Sequence, residues 1–275
     1  MLGLGCTLFW GMASFLLVVF LVLPPLAIFF GMTPALLWQK LDTPMAYQAL
    51  RLSMATTTGS LLLIVALGTP LAYFLANRSF CGKSVVEVMI QLPIVAPPAV
   101  AGVGLLLVFG RMGWVGQWLD LFGIQIGFTS VAVVLAQVFI SAPFYIQNAR
   151  TAFAGVDQDL VAVSRTLGVS PVKTLFRVTI PLAMPGMLTG MALSWARALG
   201  EFGATIVFAG NLPGTTQTLS LAIYSAMETD MPLAVALSAL LLSVAFAILL
   251  SVKGLEYWPE RRQRRKRGRG ERATC

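Results

Sequence analysis

Apolar residues along the chain gather into six long runs parted by short polar segments, at about 7–30, 53–76, 86–109, 129–147, 182–209 and 232–252. A hydrocarbon core about 30 Å thick is crossed by roughly 20 residues of helix. Lipid offers the backbone no hydrogen-bond partner, so a spanning segment of this length has to be helical. The pattern therefore predicts an all-α integral membrane protein with six transmembrane helices. The first run has no basic stretch ahead of it and is longer than the apolar part of a secretory signal, so it reads as a span.

The polar segments give the chain an orientation. With the N-terminus taken as cytoplasmic, the inner segments hold Arg78, Lys83, Arg150, Arg165, Lys173, Arg177 and the basic tail. The outer ones hold only Lys40, Arg51 and Arg111. Basic residues concentrate on the cytoplasmic side of membrane proteins, so both termini are expected there. The division expected is an N-terminal span with its outer loop over 1–45, a multi-span transmembrane domain over 46–255, and a disordered basic tail over 256–275.

Two runs carry internal punctuation. Gln91, Pro93, Pro97 and Pro98 interrupt the third, and proline removes a backbone donor and clashes with the turn before it. Two readings stand: a packing kink, or a bent helix lining a pathway. In the fifth, Gly186 and Gly190 form a small-xxx-small pair that lets helices approach closely.

Between the fourth and fifth runs lies DQDLVAVSRTLGVSPVKTLFRVTIPLAMPG, residues 157–186. Leu160, Val163 and Leu167 fall at i, i+3 and i+7, the stripe of an amphipathic helix. Asp157 and Asp159 suit its N-terminus, and Gly168 suits its end. Ser170 and Pro171 read as the N-cap and first residue of a second helix. Pro181 and Pro185 mark re-entry into the membrane. Such a hairpin is either a docking surface for a cytoplasmic partner or an interfacial helix lying on lipid.

Composition removes other classes. Charged residues make up 11% of the chain against about 25% in soluble domains, and mean hydropathy is +0.84. The net charge of +8 is concentrated in the tail, directly after an apolar run and with no aromatic beyond Trp258. That placement points to anionic lipid at a cytoplasmic surface and away from nucleic acid. Histidine is absent, and Cys6, Cys81 and Cys275 are far apart, so no metal site, redox motif or Ser-His-Asp hydrolase is expected. Gly82-Lys83-Ser84 looks like the end of a phosphate-binding loop, but the glycine that should stand five residues earlier is Asn77. The chain is not expected to bind nucleotide.

Arg197 and Glu201 are four residues apart inside an apolar run, where ionisable groups are costly and face protein or water. They form either a structural ion pair or, with Thr205 and Asn211, a polar stripe along a translocation pathway.

The loop resembles that of permeases of ATP-binding-cassette importers. Their cytoplasmic pattern is Glu-Ala-Ala, three residues, Gly, nine residues, Ile-x-Leu-Pro. Here Gly168 is followed, after residues 169–177, by Val178-Thr179-Ile180-Pro181, while Ala162, Val163 and Ser164 stand at the first three positions, without the acid. The ALGEFGA element at 198–204 is similar to molybdate and sulfate permeases, and NLPGTTQTLSLAIY at 211–224 to the molybdate and tungstate branch. The resemblance implies a six-helix permease in a bacterial inner membrane, assembled as a homodimer with two cytoplasmic ATPase subunits and an extracytoplasmic oxyanion-binding protein. ATP and magnesium would be used by the ATPase, and this chain would bind no cofactor and perform no bond chemistry. The loop would be the coupling helix, with Asp159, Ala162, Val163, Ser164, Arg165, Gly168 and Pro181 as its contact residues. The implied cargo is molybdate or tungstate, with sulfate or thiosulfate as the alternative. An ion-coupled secondary transporter would usually show internal repeats, and no convincing one is found. A membrane enzyme would need clustered titratable groups within the spans, which are missing.

Overall fold

The computed structural model describes the backbone of residues 2–270 and the side chains of residues 9–252. The elements are α1 (Leu2–Phe30), α2 (Pro34–Leu41), α3 (Pro44–Asn77), α4 (Lys83–Val95), α5 (Pro98–Phe109), α6 (Gly116–Asp120), α7 (Ser130–Ala154), α8 (Gln158–Thr166) and α9 (Pro171–Thr174). A π-helical turn at Leu175–Thr179 leads into α10 (Ile180–Leu199), and α11 (Gly203–Phe208), α12 (Leu219–Thr229) and α13 (Met231–Gly270) complete the chain. The backbone is helical through residue 270; residues 271–275 lie outside the described residues.

Among the described residues, five helical stretches are long and apolar enough to span a membrane: Phe9–Phe30, Pro44–Asn77, Ser130–Ala154, Pro171–Leu199 and Met231–Val252. The sixth expected span is the pair α4–α5, bent by 114° between Val95 and Pro98. The cause is local. Ala96 precedes Pro97 and Pro97 precedes Pro98, and a residue before proline is driven out of the helical region. Accordingly ψ is 131° at Ala96 and 133° at Pro97. The bent pair still crosses the bundle. Glu87 of α4 meets Arg150 near the end of α7 at 3.1 Å, while Ala101 and Leu105 of α5 pack with Ala132, Val133 and Ala136 near its start.

The core is three helices deep, with α7 lying between α3 and α10. Small residues set how close they come. A Cβ on Gly186 would stand 2.7 Å from the Ala152 Cβ, and one on Gly190 would stand 2.8 Å from the Asn148 Cβ and 3.2 Å from the Tyr145 carbonyl oxygen. The small-xxx-small pair therefore faces α7, as its spacing predicts. Lipid gives helices no hydrophobic reason to associate, so this close packing carries the association. Replacing Gly190 with leucine overpacks the seam at a cost of about 1–3 kcal/mol. Thermal melting of the purified chain should drop by roughly 5 °C, while Gly11→Leu, in open space on α1, should leave it unchanged.

The spans bury polar side chains as well as apolar ones. Ser53, Thr56, Thr57 and Ser60 of α3, Gln137 and Ser141 of α7 and Ser194 of α10 are all buried. Gln137 Nε2 donates to Thr56 Oγ1 at 3.3 Å, and Ser194 Oγ donates to the Ser141 carbonyl at 2.9 Å. These bonds tie the three helices together where apolar side chains alone would slide.

Six cations gather at one end of the bundle: Arg78, Lys83, Arg150, Arg165, Lys173 and Arg177. At the opposite end Lys40 pairs with Asp230 and Arg111 with Asp120. The Lys40 hydrogen bond, followed by the Leu233 amide, holds the Asp230 carboxyl below its usual value of 3.8. A lowered carboxyl contributes stability above its ordinary range and loses it as pH falls through the lowered value. The junction of α2 with α13 is thus insensitive to pH near neutrality.

Candidate functional site

The basic end carries the hairpin. Asp157 caps α8, its Oδ1 accepting from the Asp159 amide at 2.9 Å. Gly168 closes the helix at φ 78°, a left-handed conformation that glycine adopts without a Cβ clash, and its amide donates to the Arg165 carbonyl at 3.0 Å. Ser170 and Pro171 start α9 as expected, although the serine side chain makes no capping bond. The second arm is more than a short helix. It runs without interruption from Pro171 through the π-helical turn into α10, so Pro181 and Pro185 sit inside a 29-residue helical stretch instead of marking its entry. π-helical turns frequently accompany functional sites.

The hairpin is rooted firmly at its base. Phe153 and Val156 are buried in the core cluster shared by α3, α7 and α10, and Val161 packs against it. Ser164 Oγ and Thr174 Oγ1 lie 3.0 Å apart and pin the two arms together. Ser164 therefore faces inward, and Thr174, 2% exposed, is a partner that sequence periodicity did not reveal. The outer face is bare. Leu160, Val163 and Leu167 are 48%, 56% and 77% exposed, and Asp159, Ala162, Gly168 and Pro181 are exposed with them; Arg165 is exposed too, but on the inner side of α8 with Gln158 and Val161, where it lines a cavity. Rigid attachment below and an uncovered apolar stripe above are what a lever gripped by another protein requires.

The other candidate site breaks the fifth run. The expected span over 182–209 does not exist as one helix: α10 stops at Leu199, and α11 restarts at Gly203. Arg197 and Glu201 therefore do not share a helix, yet Arg197 Nη1 reaches Glu201 Oε2 at 2.7 Å across the break. Glu201 Oε1 also accepts from the Ala204 amide in the first turn of α11 at 2.8 Å. The carboxylate is 1% exposed and the arginine is half-buried. One buried anion thus holds both a cation and a helix start.

The restart sits against the other broken span. A Cβ on Gly203 would lie 2.6 Å from the Pro98 Cβ, and one on Gly102 would lie 2.7 Å from the Val207 Cβ. The two discontinuities lie side by side, fitted together by glycine. Broken helices in transporters are tolerated where protein or a cavity satisfies the freed backbone. Thr205 is buried on α11, with no hydrogen-bond partner for its hydroxyl among the described residues. Asn211 belongs to a different group: its Nδ2 donates to Ser225 Oγ at 2.8 Å, and its Oδ1 accepts from Gln217 Nε2 at 3.0 Å. The stripe predicted from Arg197 to Asn211 is therefore two clusters, one bridging the helix break and one fixing the loop before α12.

A family model described as a binding-protein-dependent transport system inner membrane component matches residues 68–265. The molybdenum transport system permease protein ModB of Mycobacterium tuberculosis is 42% identical over 235 residues, covering 86% of this chain and 89% of that protein. The sulfate transport system permease protein CysT of Synechocystis is 33% identical, covering 82% and 79%. Among solved structures, a chain of a bacterial ABC transporter that imports the acidic polysaccharide alginate superposes with a TM-score of 0.68 at 16% identity, over 92% of this chain and 94% of that one.

Proposed function

The chain belongs to the family of inner membrane components of binding-protein-dependent transport systems, and from that premise we propose that it is the permease of an ATP-driven molybdate importer. It is a multi-pass membrane subunit, and the cargo follows from the relatives: the molybdenum permease is more similar than the sulfate permease, 42% against 33%. Tungstate, a tetrahedral dianion of similar size, would take the same path.

The observation that carries the transport mechanism is the hairpin, rooted in the core and uncovered outside. Two copies of the chain form the conduit, and two cytoplasmic ATPase subunits grip the hairpins through Asp159, Ala162, Val163 and Gly168, while Arg165 turns inward to the cavity beside α3. ATP and magnesium belong to those subunits. Their closure moves each hairpin as a rigid lever, and the continuity of its second arm with α10 carries that movement to the helix break at Gly200. A binding protein delivers the anion on the opposite side. The excess of cations at the hairpin end supports a cytoplasmic placement of that end and of both termini.

Within the conduit, Arg197 is the cation an oxyanion can reach, and Glu201 keeps it from binding too tightly to release. Thr205 and the Asn211 cluster flank that step. Reconstituting the chain with its ATPase and a molybdate-loaded binding protein should give ATP-dependent molybdate uptake that excess tungstate suppresses and sulfate barely affects. Uptake driven equally by sulfate would assign the chain to the sulfate systems. Orientation has its own check. A cysteine at Val172 should react with an impermeant thiol reagent only in inside-out vesicles, and one at Leu212 only in right-side-out vesicles; the reverse pattern would invert the topology.

A further inference from the structure

A cavity lies beside the lever. It measures about 850 Å³ and is walled by α3 from Val65 to Asn77 with Arg78 just past its end, by the inner side of α8, and by the π-helical turn with the start of α10. Its chemistry is graded along its length. Its wall on α3, twelve residue steps from Val65 to Asn77 at 1.5 Å each, is about 18 Å long. At the deep end, Val65, Ala66 and Pro70 face Ile180. Of the two hydroxyls near that end, Thr69's is already engaged with the Val65 carbonyl and the Tyr145 hydroxyl at 2.6 Å each, and Thr179, beside Ile180, is 4% exposed, so that end is mainly apolar. At the mouth stand Asn77, Arg78, Gln158 and Arg165. Neither guanidinium has an ion-pair or hydrogen-bond partner among the described residues, and no carboxylate lines the cavity.

An apolar shaft with two unneutralised cations at its rim has the shape of a single amphiphile with an anionic head. The length of that wall fits one leaflet, since half of the hydrocarbon core is about 15 Å and the remainder accommodates the ester linkage and headgroup. Basic pockets between spans at the cytoplasmic surface are suited to anionic headgroups. We propose that this cavity holds one anionic phospholipid, its phosphate between Arg78 and Arg165 and one acyl chain along α3. Because the lipid would touch both α3 and the hairpin, it wedges the lever against the bundle, and transport depends on anionic lipid in that leaflet. The inference rests on the cytoplasmic placement of the hairpin, but lipid retention is read without transport, so the two can fail separately.

The test uses the purified permease–ATPase complex, stripped of lipid and offered phosphatidylglycerol or phosphatidylcholine, with native mass spectrometry as readout. The wild type should retain phosphatidylglycerol in preference to phosphatidylcholine. Arg78→Gln should cut that preference about fivefold, the effect of one interfacial cation. Ala66→Trp should abolish retention by filling the shaft, whereas Arg111→Gln at the other end should change nothing. Equal retention of both lipids, or phosphatidylglycerol retention unaffected by Arg78→Gln and Ala66→Trp, would overturn the proposal. Displacement by inorganic phosphate would show a free-anion site, and disulfide formation between Phe74→Cys copies would show the cavity covered by a second permease; either result also overturns it.

Discussion

Changing Val163 to aspartate should abolish ATP-driven uptake while leaving the permease folded. The side chain lies in the middle of the exposed stripe on α8 and is 56% exposed, so in the isolated permease the new carboxylate stays hydrated. Surface substitutions of that kind shift stability by no more than about 0.5 kcal/mol. The cost arises on assembly. In a groove of the ATPase an unpaired carboxylate would lose its water without compensation, a penalty of several kcal/mol. Every 1.4 kcal/mol weakens the contact about tenfold, so the complex should come apart at ordinary concentrations. Co-purification of the ATPase measures this directly, and Met112→Asp at the opposite end serves as the control because that side chain is 93% exposed outside the hairpin. Intact co-purification and uptake in Val163→Asp would mean that α8 is not the grip.

The second large effect is expected at Glu201, and it separates charge from structure. Glu201→Ala removes the acceptor for the Ala204 amide together with the partner of Arg197. Hydrogen bonds to charged groups contribute about 1.5–3 kcal/mol each, so this variant should melt lower and express poorly. Glu201→Gln can still accept from Ala204 and fills the same space, so it should fold. It leaves Arg197 without a counter-charge in a low-dielectric setting, and an entering dianion is then held instead of passed. Uptake should fall at least about tenfold, and the purified complex should retain radiolabelled molybdate that the wild type releases. Adding Arg197→Gln to Glu201→Gln should abolish the retention. Retention that survives the double change would place the anion elsewhere, and normal uptake in Glu201→Gln would make the pair purely structural.

The spans were legible because lipid imposes a crude rule, and the uninterrupted apolar runs obey it. The hairpin was legible because caps are local: Asp157, Gly168 and Pro171 announce helix ends without reference to anything distant. The break after Leu199 was not legible. Residues 203–209 are as apolar as those before them, and the interruption follows from Gly200 together with a carboxylate that prefers to cap a new helix, which only the packing against Pro98 decides. The bend in the third run could be located from its prolines, whereas the 114° turn needed two successive residues before proline to act together. The pairing of Ser164 with Thr174 joins separate helices at no fixed spacing, so no periodicity reveals it. The polar seam of α3 could have been found, since Ser53, Thr56, Thr57 and Ser60 recur on one face.

The lever is tested most directly by a cysteine at Val163 in an otherwise cysteine-free chain, co-expressed with its ATPase. A short bifunctional thiol reagent should join the two proteins, and the joined species should change in yield when ATP and magnesium are added. A residue at Val163 that never links to a nucleotide-hydrolysing subunit, under any nucleotide condition, would contradict the account.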